Sequence, residues 1–144
     1  MKRMEDLAYC VSYLAAERFG EKRAREIMAS LEGDERALFE AYRALANVRE
    51  PMPATDTFFA AQDRMLQDRI VAAGIVDAGA LPRTPVDGRL SLWRGDITTL
   101  AADVVVNAAN SQLLGCWVPG HHCIDNAIHT YAGIQLRAEC ARIM

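Results

Sequence analysis

Apolar residues in the first half of the chain recur every three or four positions, which is the period of an amphipathic α-helix. Four such stripes follow one another, and their members in chain order are Met4, Leu7, Val11 and Leu14; Ile27, Met28 and Leu31; Leu38, Phe39, Tyr42 and Leu45; and Phe58, Phe59, Met65, Leu66 and Ile70. The pattern therefore predicts an all-helical unit over residues 1 to about 75.

Residues that begin and end helices separate the stripes. Asp34 can cap the third helix, and Thr55 or Asp56 can cap the fourth. The two prolines of residues 51–53 remove backbone donors and predict a connector before that fourth helix. Three glycines, a residue type that commonly follows the last turn of a helix, stand at Gly20, Gly33 and Gly74.

The pattern changes after the fourth stripe. Residues 75–88 contain prolines and glycines with little periodicity, which predicts a connector. Residues 90–93 and the valine run 104–106 are typical of buried strands, and we expect two strands of an α/β sheet there. A last helix is predicted from its N-cap Asp125 almost to Met144, with a buried side formed by Ile124, Ala127, Ile128, Tyr131, Ala132, Leu136 and Cys140.

This order of elements predicts two regions, a helical extension with its connector over residues 1–88 and part of an α/β domain over residues 89–144. Two strands do not make a stable sheet layer with helices on both faces. We therefore expect the chain to stop in the middle of a domain.

Composition narrows the function classes. The 144 residues, 51% hydrophobic and 24% charged, are typical of a globular protein of about one domain. A net charge of -3 gives no overall basic excess for nucleic acid or an anionic membrane, although a local basic patch is compatible with it. The sequence shows no long apolar span and no apolar signal core near its start, so we expect a cytoplasmic protein.

Four cysteines occur, and without a secretion signal we interpret them as thiols or metal ligands. Cys10 and Cys140 lie in helical patterns and are predicted to be packing residues. Cys116 and Cys123 instead share a short loop with two histidines.

Two thiolates and an imidazole within eight residues suit a zinc ion, and Cys116, His121 and Cys123 have that spacing. Three protein ligands leave the fourth tetrahedral position open, as in catalytic zinc sites. His122 is the alternative imidazole. An incidental mixture of loop residues is the competing interpretation, because the loop has no Cys-x2-Cys knuckle.

The loop also precedes the N-terminus of the last predicted helix, whose free N–H groups and positive dipole end favour a phosphate or diphosphate. The polar turn of residues 107–110, Asn-Ala-Ala-Asn, follows the second predicted strand, where ligands bind in open α/β sheets. An ordinary asparagine-rich turn followed by a capping aspartate is the competing interpretation.

Three ordered motifs resemble those of macrodomains: GDIT at 95–98, VVVNAANSQLLG at 104–115 and IDNAIHTYAGIQLRAEC at 124–140. The usual glycine run before the last motif is replaced by the longer loop with cysteines and histidines, and Asn126 replaces a glycine. These departures resemble the zinc-dependent macrodomains of bacteria. Upstream, the resemblance extends over roughly residues 36–144 through LANVREPMP, FFAAQDRMLQ and GIVDAGALP.

The resemblance implies a macrodomain-like three-layer αβα fold, of which only the N-terminal part is present, preceded by an all-helical extension. It implies a zinc-dependent hydrolase that removes mono-ADP-ribose from acidic side chains of proteins. It also implies ADP-ribose and mono-ADP-ribosylated proteins as partners, together with a sirtuin-like ADP-ribosyltransferase and a lipoylated carrier protein. The alternatives are a non-catalytic ADP-ribose reader, in which zinc only stiffens the loop, or an inactive fragment.

Site residues also follow from the resemblance. The adenine amino group is assigned to Asp96, with the Ile97 backbone nearby, and the distal ribose to Asn107 and Asn110. The competing interpretations are that Asp96 caps a turn and that Asn110 bonds its own backbone.

For the reacting end, the resemblance implies zinc on Cys116, His121 and Cys123 beside the anomeric carbon. The backbone N–H groups of Ile124 and Asp125 are assigned to the diphosphate, and catalysis is assigned to Asp125 and Asn110. Asp125 could instead only cap its helix, and His129 is interpreted as a structural hydrogen-bond partner.

Overall fold

Helices occupy most of the first half of the chain in the computed structural model, which describes residues 2–144, with side chains from residue 3 onward. Each forms where the apolar stripes predict a helix, while the division of the chain into an extension over residues 1–88 and a domain part over residues 89–144 stays a prediction. The helices are α1 (Lys2–Phe19), α2 (Glu21–Ser30), α3 (Glu35–Ala46) and α4 (Asp56–Ala73).

Capping side chains fix where α3 and α4 begin. The Asp34 carboxylate accepts a hydrogen bond from the Ala37 N–H at 2.9 Å, and Thr55 Oγ1 accepts one from the Phe58 N–H at 3.2 Å. Each bond satisfies one of the free donors of a first helical turn. Thr55 rather than Asp56 is therefore the N-cap of α4.

The stripes of the helical unit meet in one apolar core, in which α1 packs against the three other helices. Cys10 is fully buried there, as the helical pattern predicts, and burial raises the pKa of its thiol to about 12. The fully buried side chains of this core include Leu7, Cys10, Val11, Tyr42, Phe58 and Met65.

The two predicted strands are wrong in position. Ser91 forms only an isolated antiparallel bridge with Arg83, and residues 104–106 are coil, with Val104 81% and Val106 88% exposed. The strands that form are β1 (Val76–Asp77) and β2 (Leu100–Ala101), which pair in parallel. An extended valine run needs neighbours for its backbone groups and side chains, and within residues 2–144 it lies beside none.

The described residues thus form helices and a small parallel sheet, which agrees with the coarse α/β prediction. The three-layer arrangement stays a prediction. Short 3-10 turns, Ala78–Ala80 and Ile97–Thr99, adjoin the two strands. No helix within residues 2–144 has both the length and the apolar character needed to cross a membrane.

The predicted last helix is two helices, α5 (Ile124–Ala132) and α6 (Ile134–Ile143). Gly133 interrupts it with φ +78° and ψ 173°, a conformation almost restricted to glycine. The N-cap is Cys123, so the prediction of Asp125 as N-cap is wrong. Asp125 is instead the second residue of the helix, within its first turn.

The predicted apolar buried side is also wrong for α5. Its buried residues are all polar, whereas Ile124 is 42% exposed. Hydrogen bonds explain this, because Asn126 and Thr130 bond to polar side chains of the helical unit, while the half-buried Tyr131 packs against its apolar core. The buried residues of α5 are Asp125, Asn126, His129 and Thr130. In α6 Ile134 joins the apolar core, and Cys140 is half-buried.

Candidate functional site

The loop before α5 brings three metal-ligating side chains together. Ligand atoms of Cys116, His121 and Cys123 all lie within 4.8 Å of one another, and Cys116 Sγ lies 3.3 Å from His121 Nδ1. The cysteines are half-buried and the histidine is exposed. The cluster has the same three residues as the ligand set that the spacing predicted.

The donor set and its spacing fit a zinc ion. Zinc bonds of about 2.0–2.3 Å in a tetrahedron put neighbouring ligand atoms about 3.3–3.8 Å apart. Cys116 Sγ and His121 Nδ1, 3.3 Å apart, already have this spacing. No two ligand atoms of the cluster are more than 4.8 Å apart, so small rotations of the side chains would bring all three to it. A site of this kind therefore needs no rearrangement of the loop backbone.

Two glycines shape the loop. Gly115 has φ +80° and lies against the His129 ring, where an added Cβ would come within 2.9 Å of ring carbons. Gly120 has φ +66°, and the next residue, His121, donates its N–H to the Val118 carbonyl at 3.2 Å. The close approach at Gly115 and the turn at Gly120 bring Cys116 and His121 toward the start of α5.

Cys123 has two roles in this geometry. It is the N-cap of α5, and its sulfur accepts a hydrogen bond from the Asn126 N–H at 3.4 Å. The first turn of a helix concentrates N–H donors and positive partial charge at this point. This end of the helix therefore stabilises negative charge placed beside it.

Asp125 is buried beside the cluster, and Asn107 contacts it. Asn107 Nδ2 donates to Asp125 Oδ1 at 2.7 Å, while the buried Asn107 Oδ1 has no partner among the described residues. The structure thus brings together Asn107 and Asp125, which the sequence separates by 18 positions. An oxygen buried without a partner is an acceptor that a bound hydroxyl can satisfy.

His129 lies one turn further along α5, with Nε2 3.6 Å from Asp125 Oδ1. Burial lowers the pKa of its imidazole, and nearby Arg137 lowers it further, whereas the Asp125 charge raises it. The net shift is downward, so the ring is neutral at pH 7. A neutral ring packed on Gly115 is consistent with the structural role that the sequence suggested.

Asn110 bonds mainly to its own loop. Its Nδ2 donates to the Gly115 carbonyl at 3.2 Å, and its Oδ1 accepts from the Gln112 N–H at 3.0 Å. These contacts match the competing interpretation of an asparagine that satisfies nearby backbone groups. The bond to Gly115 also connects the polar turn of residues 107–110 to the metal loop, the segment of residues 115–123 that carries the three candidate ligands.

Asp96 and Ile97 lie apart from the cluster. The Asp96 carboxylate caps the turn Ile97–Thr99 by accepting from the Thr98 N–H at 2.9 Å and from its hydroxyl at 2.7 Å. Asp96 is exposed and borders an open cavity of about 610 Å³ that reaches His122 of the metal loop. The cavity is lined by Glu35, Arg36, Phe39, Glu40, Arg43, Arg69, Asp96, His122, Ala127 and Tyr131.

Several of these lining residues belong to the helical unit, to which the sequence assigned only packing. Arg69 places its guanidinium 3.6 Å from the Phe39 ring centroid and pairs with Glu35 at 2.9 Å. Arg43 reaches the metal loop itself, as described below. The helical stripe predicted that α3 packs, but it contained no signal for which polar residues beside the stripe would contact the loop.

Comparison with known proteins addresses the same segment. Residues 106–144 match the macro domain family. These matched residues are named the macro-domain segment. This macro-domain segment contains the whole metal cluster together with Asn107 and Asp125.

Curated relatives extend the likeness beyond the macro-domain segment. The chain is 52% identical over 106 residues to a protein-ADP-ribose hydrolase of Treponema medium, covering 71% of this chain and 40% of that protein. It is 49% identical over 108 residues to a protein-ADP-ribose hydrolase of Staphylococcus aureus strain COL, covering 74% and 40%.

A third relative joins two activities in its name. The chain is 60% identical over 57 residues to a probable bifunctional ADP-ribose hydrolase/ADP-ribosyltransferase of Fusarium oxysporum f. sp. cubense, covering 39% of this chain and 10% of that protein. The chain spans about 40% of the length of the two bacterial relatives. Similarity to the two proteins named protein-ADP-ribose hydrolase therefore covers most of this chain but less than half of those proteins.

Proposed function

We propose that this protein is a cytoplasmic, zinc-dependent macro-domain hydrolase that removes mono-ADP-ribose from acidic side chains of modified proteins. The observation that carries the proposal is the convergence of Cys116, His121 and Cys123 at the N-terminus of the helix that holds buried Asp125. Two relatives that are 52% and 49% identical to this chain over the aligned residues, both named protein-ADP-ribose hydrolase, support the same reaction class.

Cys116, His121 and Cys123 would hold the zinc ion, with two thiolates and one imidazole. Bound there, zinc would supply Lewis-acid chemistry, polarising an oxygen and lowering the pKa of a hydroxyl or water toward neutrality. Three protein ligands are the usual number where a zinc site keeps a position for substrate.

Asp125 would accept or return the proton that the hydrolysis requires. It is buried near the metal loop, and the bond from Asn107 Nδ2 at 2.7 Å fixes the direction of its carboxylate. Its neighbour His129 is neutral at pH 7 because burial lowers the pKa of that ring. His129 therefore orients Asp125 without forming a full ion pair with it.

The distal ribose would be bound by Asn107 and Asn110, whose side-chain amides donate to Asp125 Oδ1 and to the Gly115 carbonyl respectively. The unpartnered Asn107 Oδ1 would accept from a ribose hydroxyl. To contact the sugar directly, Asn110 would have to give up its bonds within the loop. Otherwise it would act by holding the turn at Gly115 beside the ribose.

The rest of ADP-ribose would follow the N-terminus of α5 and the Asp96 turn. The backbone N–H groups of Ile124 and Asp125, in the first turn of α5, would bind the diphosphate. Asp96 with the Ile97 backbone would bind adenine, which requires the Asp96 carboxylate to accept from the amino group beside its present bond to Thr98.

A partner transferase fits this activity. One relative carries both a hydrolase and a transferase in its name. This name supports an ADP-ribosyltransferase as a proposed partner, with mono-ADP-ribosylated protein as the substrate. The sirtuin-like type of that transferase and a lipoylated carrier protein are proposed on the motif resemblance alone.

The test uses the protein as its complete gene encodes it, incubated with a protein carrying mono-ADP-ribose on glutamate or aspartate. Replacing Cys116 or Cys123 with Ser, or His121 with Ala, is expected to abolish turnover while ADP-ribose affinity measured by calorimetry largely survives. Serine at 123 keeps an N-cap acceptor, so a loss there reports on the metal rather than on the helix. Cys140→Ser is the matched control, since Cys140 lies outside the cluster.

Each result decides between the functions. Full turnover in a metal-free cluster variant contradicts the zinc dependence. Tight ADP-ribose binding without turnover by the zinc-loaded wild type identifies a reader. If the 144-residue chain neither binds nor hydrolyses while the complete gene product does both, the activity requires residues outside this chain.

A further inference from the structure

Arg43 connects the helical unit to the metal loop. From α3 its guanidinium donates to the His121 carbonyl at 3.4 Å and to Asn126 Oδ1 at 3.3 Å, and its Nη1 lies 3.2 Å from His122 Nδ1. The residue is only 9% exposed, and its one ion pair among the described side chains is with Glu40, one turn earlier in the same helix. Three of its contacts therefore lie on the segment that holds the ligands.

The contacts restrict both histidines of the loop. Arginine can only donate, so His122 Nδ1 must accept, and a neutral ring then carries its proton on Nε2. Neither nitrogen of His122 is then free to bind a metal. The bond to the His121 carbonyl, in contrast, holds the backbone of His121 and leaves its Nδ1 beside Cys116 Sγ.

Asn126 completes the connection. It is fully buried, its Oδ1 accepts from Arg43, and its backbone N–H donates to Cys123 Sγ at 3.4 Å. Its Nδ2 also lies 3.5 Å from the Val118 carbonyl inside the loop. Arg43 thereby contacts both ends of the cluster, one through His121 and the other through Asn126.

We propose that Arg43 is a positioning residue for the metal site, which holds the ligand loop and reserves His121 rather than His122 as the imidazole ligand. This inference rests on the zinc site of the proposed function. It gives the helical unit a role in the chemistry of the macro-domain segment, because a residue of α3 decides the geometry of ligands more than 70 positions later.

Zinc affinity tests the inference without any activity assay. Competition with a chromophoric chelator is expected to show about a tenfold weaker affinity for Arg43→Ala, the lower end of the effect usual for residues that orient metal ligands. Cobalt substitution is expected to shift the visible absorption bands, because those bands report ligand identity and geometry. Arg43→Lys should retain part of the affinity through a single donor.

Asn47→Ala is the matched control. Asn47 follows α3 and donates to the Arg43 carbonyl at 2.9 Å and to Thr130 Oγ1 of α5 at 2.7 Å, and none of its hydrogen bonds among the described residues reaches the loop or the Arg43 guanidinium. It should lower stability while zinc affinity stays within about twofold of wild type. Equal affinity losses in Arg43→Ala and Asn47→Ala would show general loosening and overturn the inference, as would unchanged affinity in Arg43→Ala.

A double variant tests the reserved ligand directly. His121→Ala alone is expected to lose zinc, whereas His121→Ala combined with Arg43→Gln releases His122 and is expected to recover part of the affinity. Arg43→Gln also replaces Arg43→Ala if circular dichroism shows that the alanine variant does not fold. No recovery in the folded double variant contradicts the reservation of His121. Failure of the wild type to bind zinc contradicts the proposed function instead.

Discussion

The helical unit and the segment of residues 102–123 contrast in how they treat apolar residues. In the helical unit the apolar stripes are buried against one another, and Phe58 and Met65 are fully covered. In the second segment Val104 and Val106 are more than four-fifths exposed and lie in coil. An apolar pattern therefore forms its predicted helix or strand only when other parts of the chain pack against it and bury its side chains.

The candidate site lies between these two regions. Its ligand loop has no regular secondary structure, and polar contacts from Arg43 and α5 hold it. The helical unit thus supports the ligand loop through Arg43. Substitutions in the two regions should therefore differ in their effect on the free energy of unfolding.

The largest expected effect separates the two regions directly. Phe58→Ala is expected to lower the free energy of unfolding by about 3–5 kcal/mol, because it removes a fully buried ring and leaves a cavity. Val106→Ala in the exposed run should stay within about 0.5 kcal/mol of wild type. Urea denaturation followed by circular dichroism measures both. Comparable losses would show that residues 104–106 are buried in solution.

The next effect tests the coupling between α4 and the last helices. Gln62 Oε1 accepts from the Tyr42 hydroxyl and from the Ile134 N–H, both at 3.0 Å, in a buried position. Gln62→Ala leaves two buried donors unpaired and should cost about 2–4 kcal/mol. Gln67→Ala, at an exposed position of the same helix, should cost under about 0.5 kcal/mol in the same denaturation series. A small effect of Gln62→Ala would mean that α6 is not coupled to the helical unit.

Two glycines with similar backbones refine this coupling. Gly133 has φ +78° and ψ 173°, and Gly20 has φ +83° and ψ 161°, so alanine is strained at both by about 1–3 kcal/mol. An added Cβ would lie 2.4 Å from Gln62 Nε2 at Gly133 but meets nothing within 4 Å at Gly20. Gly133→Ala should therefore lower the melting temperature more than Gly20→Ala. Equal shifts would place Gln62 away from Gly133.

The smallest effect is a pH dependence. Because burial lowers the pKa of His129 below the ordinary value of about 6.5, the unfolded chain binds this proton more readily than the native state does. The stabilising effect of the neutral ring is present above pH 6.5 and is lost as the pH falls further. His129→Gln should flatten the fall in unfolding free energy between pH 7.5 and pH 5. A steeper fall in the variant would contradict the downward shift.

Much of the helical unit could be predicted from sequence, because a helix is determined by contacts three or four residues apart. Asp34 and Thr55 cap the helices that the pattern assigned to them. The strands could not be located in this way. A strand depends on neighbours distant in sequence, and the short pair that forms, Val76–Asp77 with Leu100–Ala101, lies outside both apolar runs.

The candidate site divides in the same way. The ligand cluster of Cys116, His121 and Cys123 could be predicted because ligands within eight residues meet at little cost in chain entropy. The N-cap of α5 could not be predicted, since aspartate is a much more common N-cap than cysteine and Asp125 stands two residues after Cys123. Nor could the polar buried side of α5, which depends on Asn47 and Arg43 of a helix some 80 positions earlier.

The sequence by itself determined the four helices, the loop with its ligand set and the macrodomain resemblance, because each is written in residues close together in the chain. Only the tertiary structure decided that Asn107 meets Asp125, that the alternative imidazole His122 contacts Arg43, and that Arg43 bonds to the backbone of the loop. Those choices depend on side chains that approach one another only after folding, and no local pattern encodes such distances.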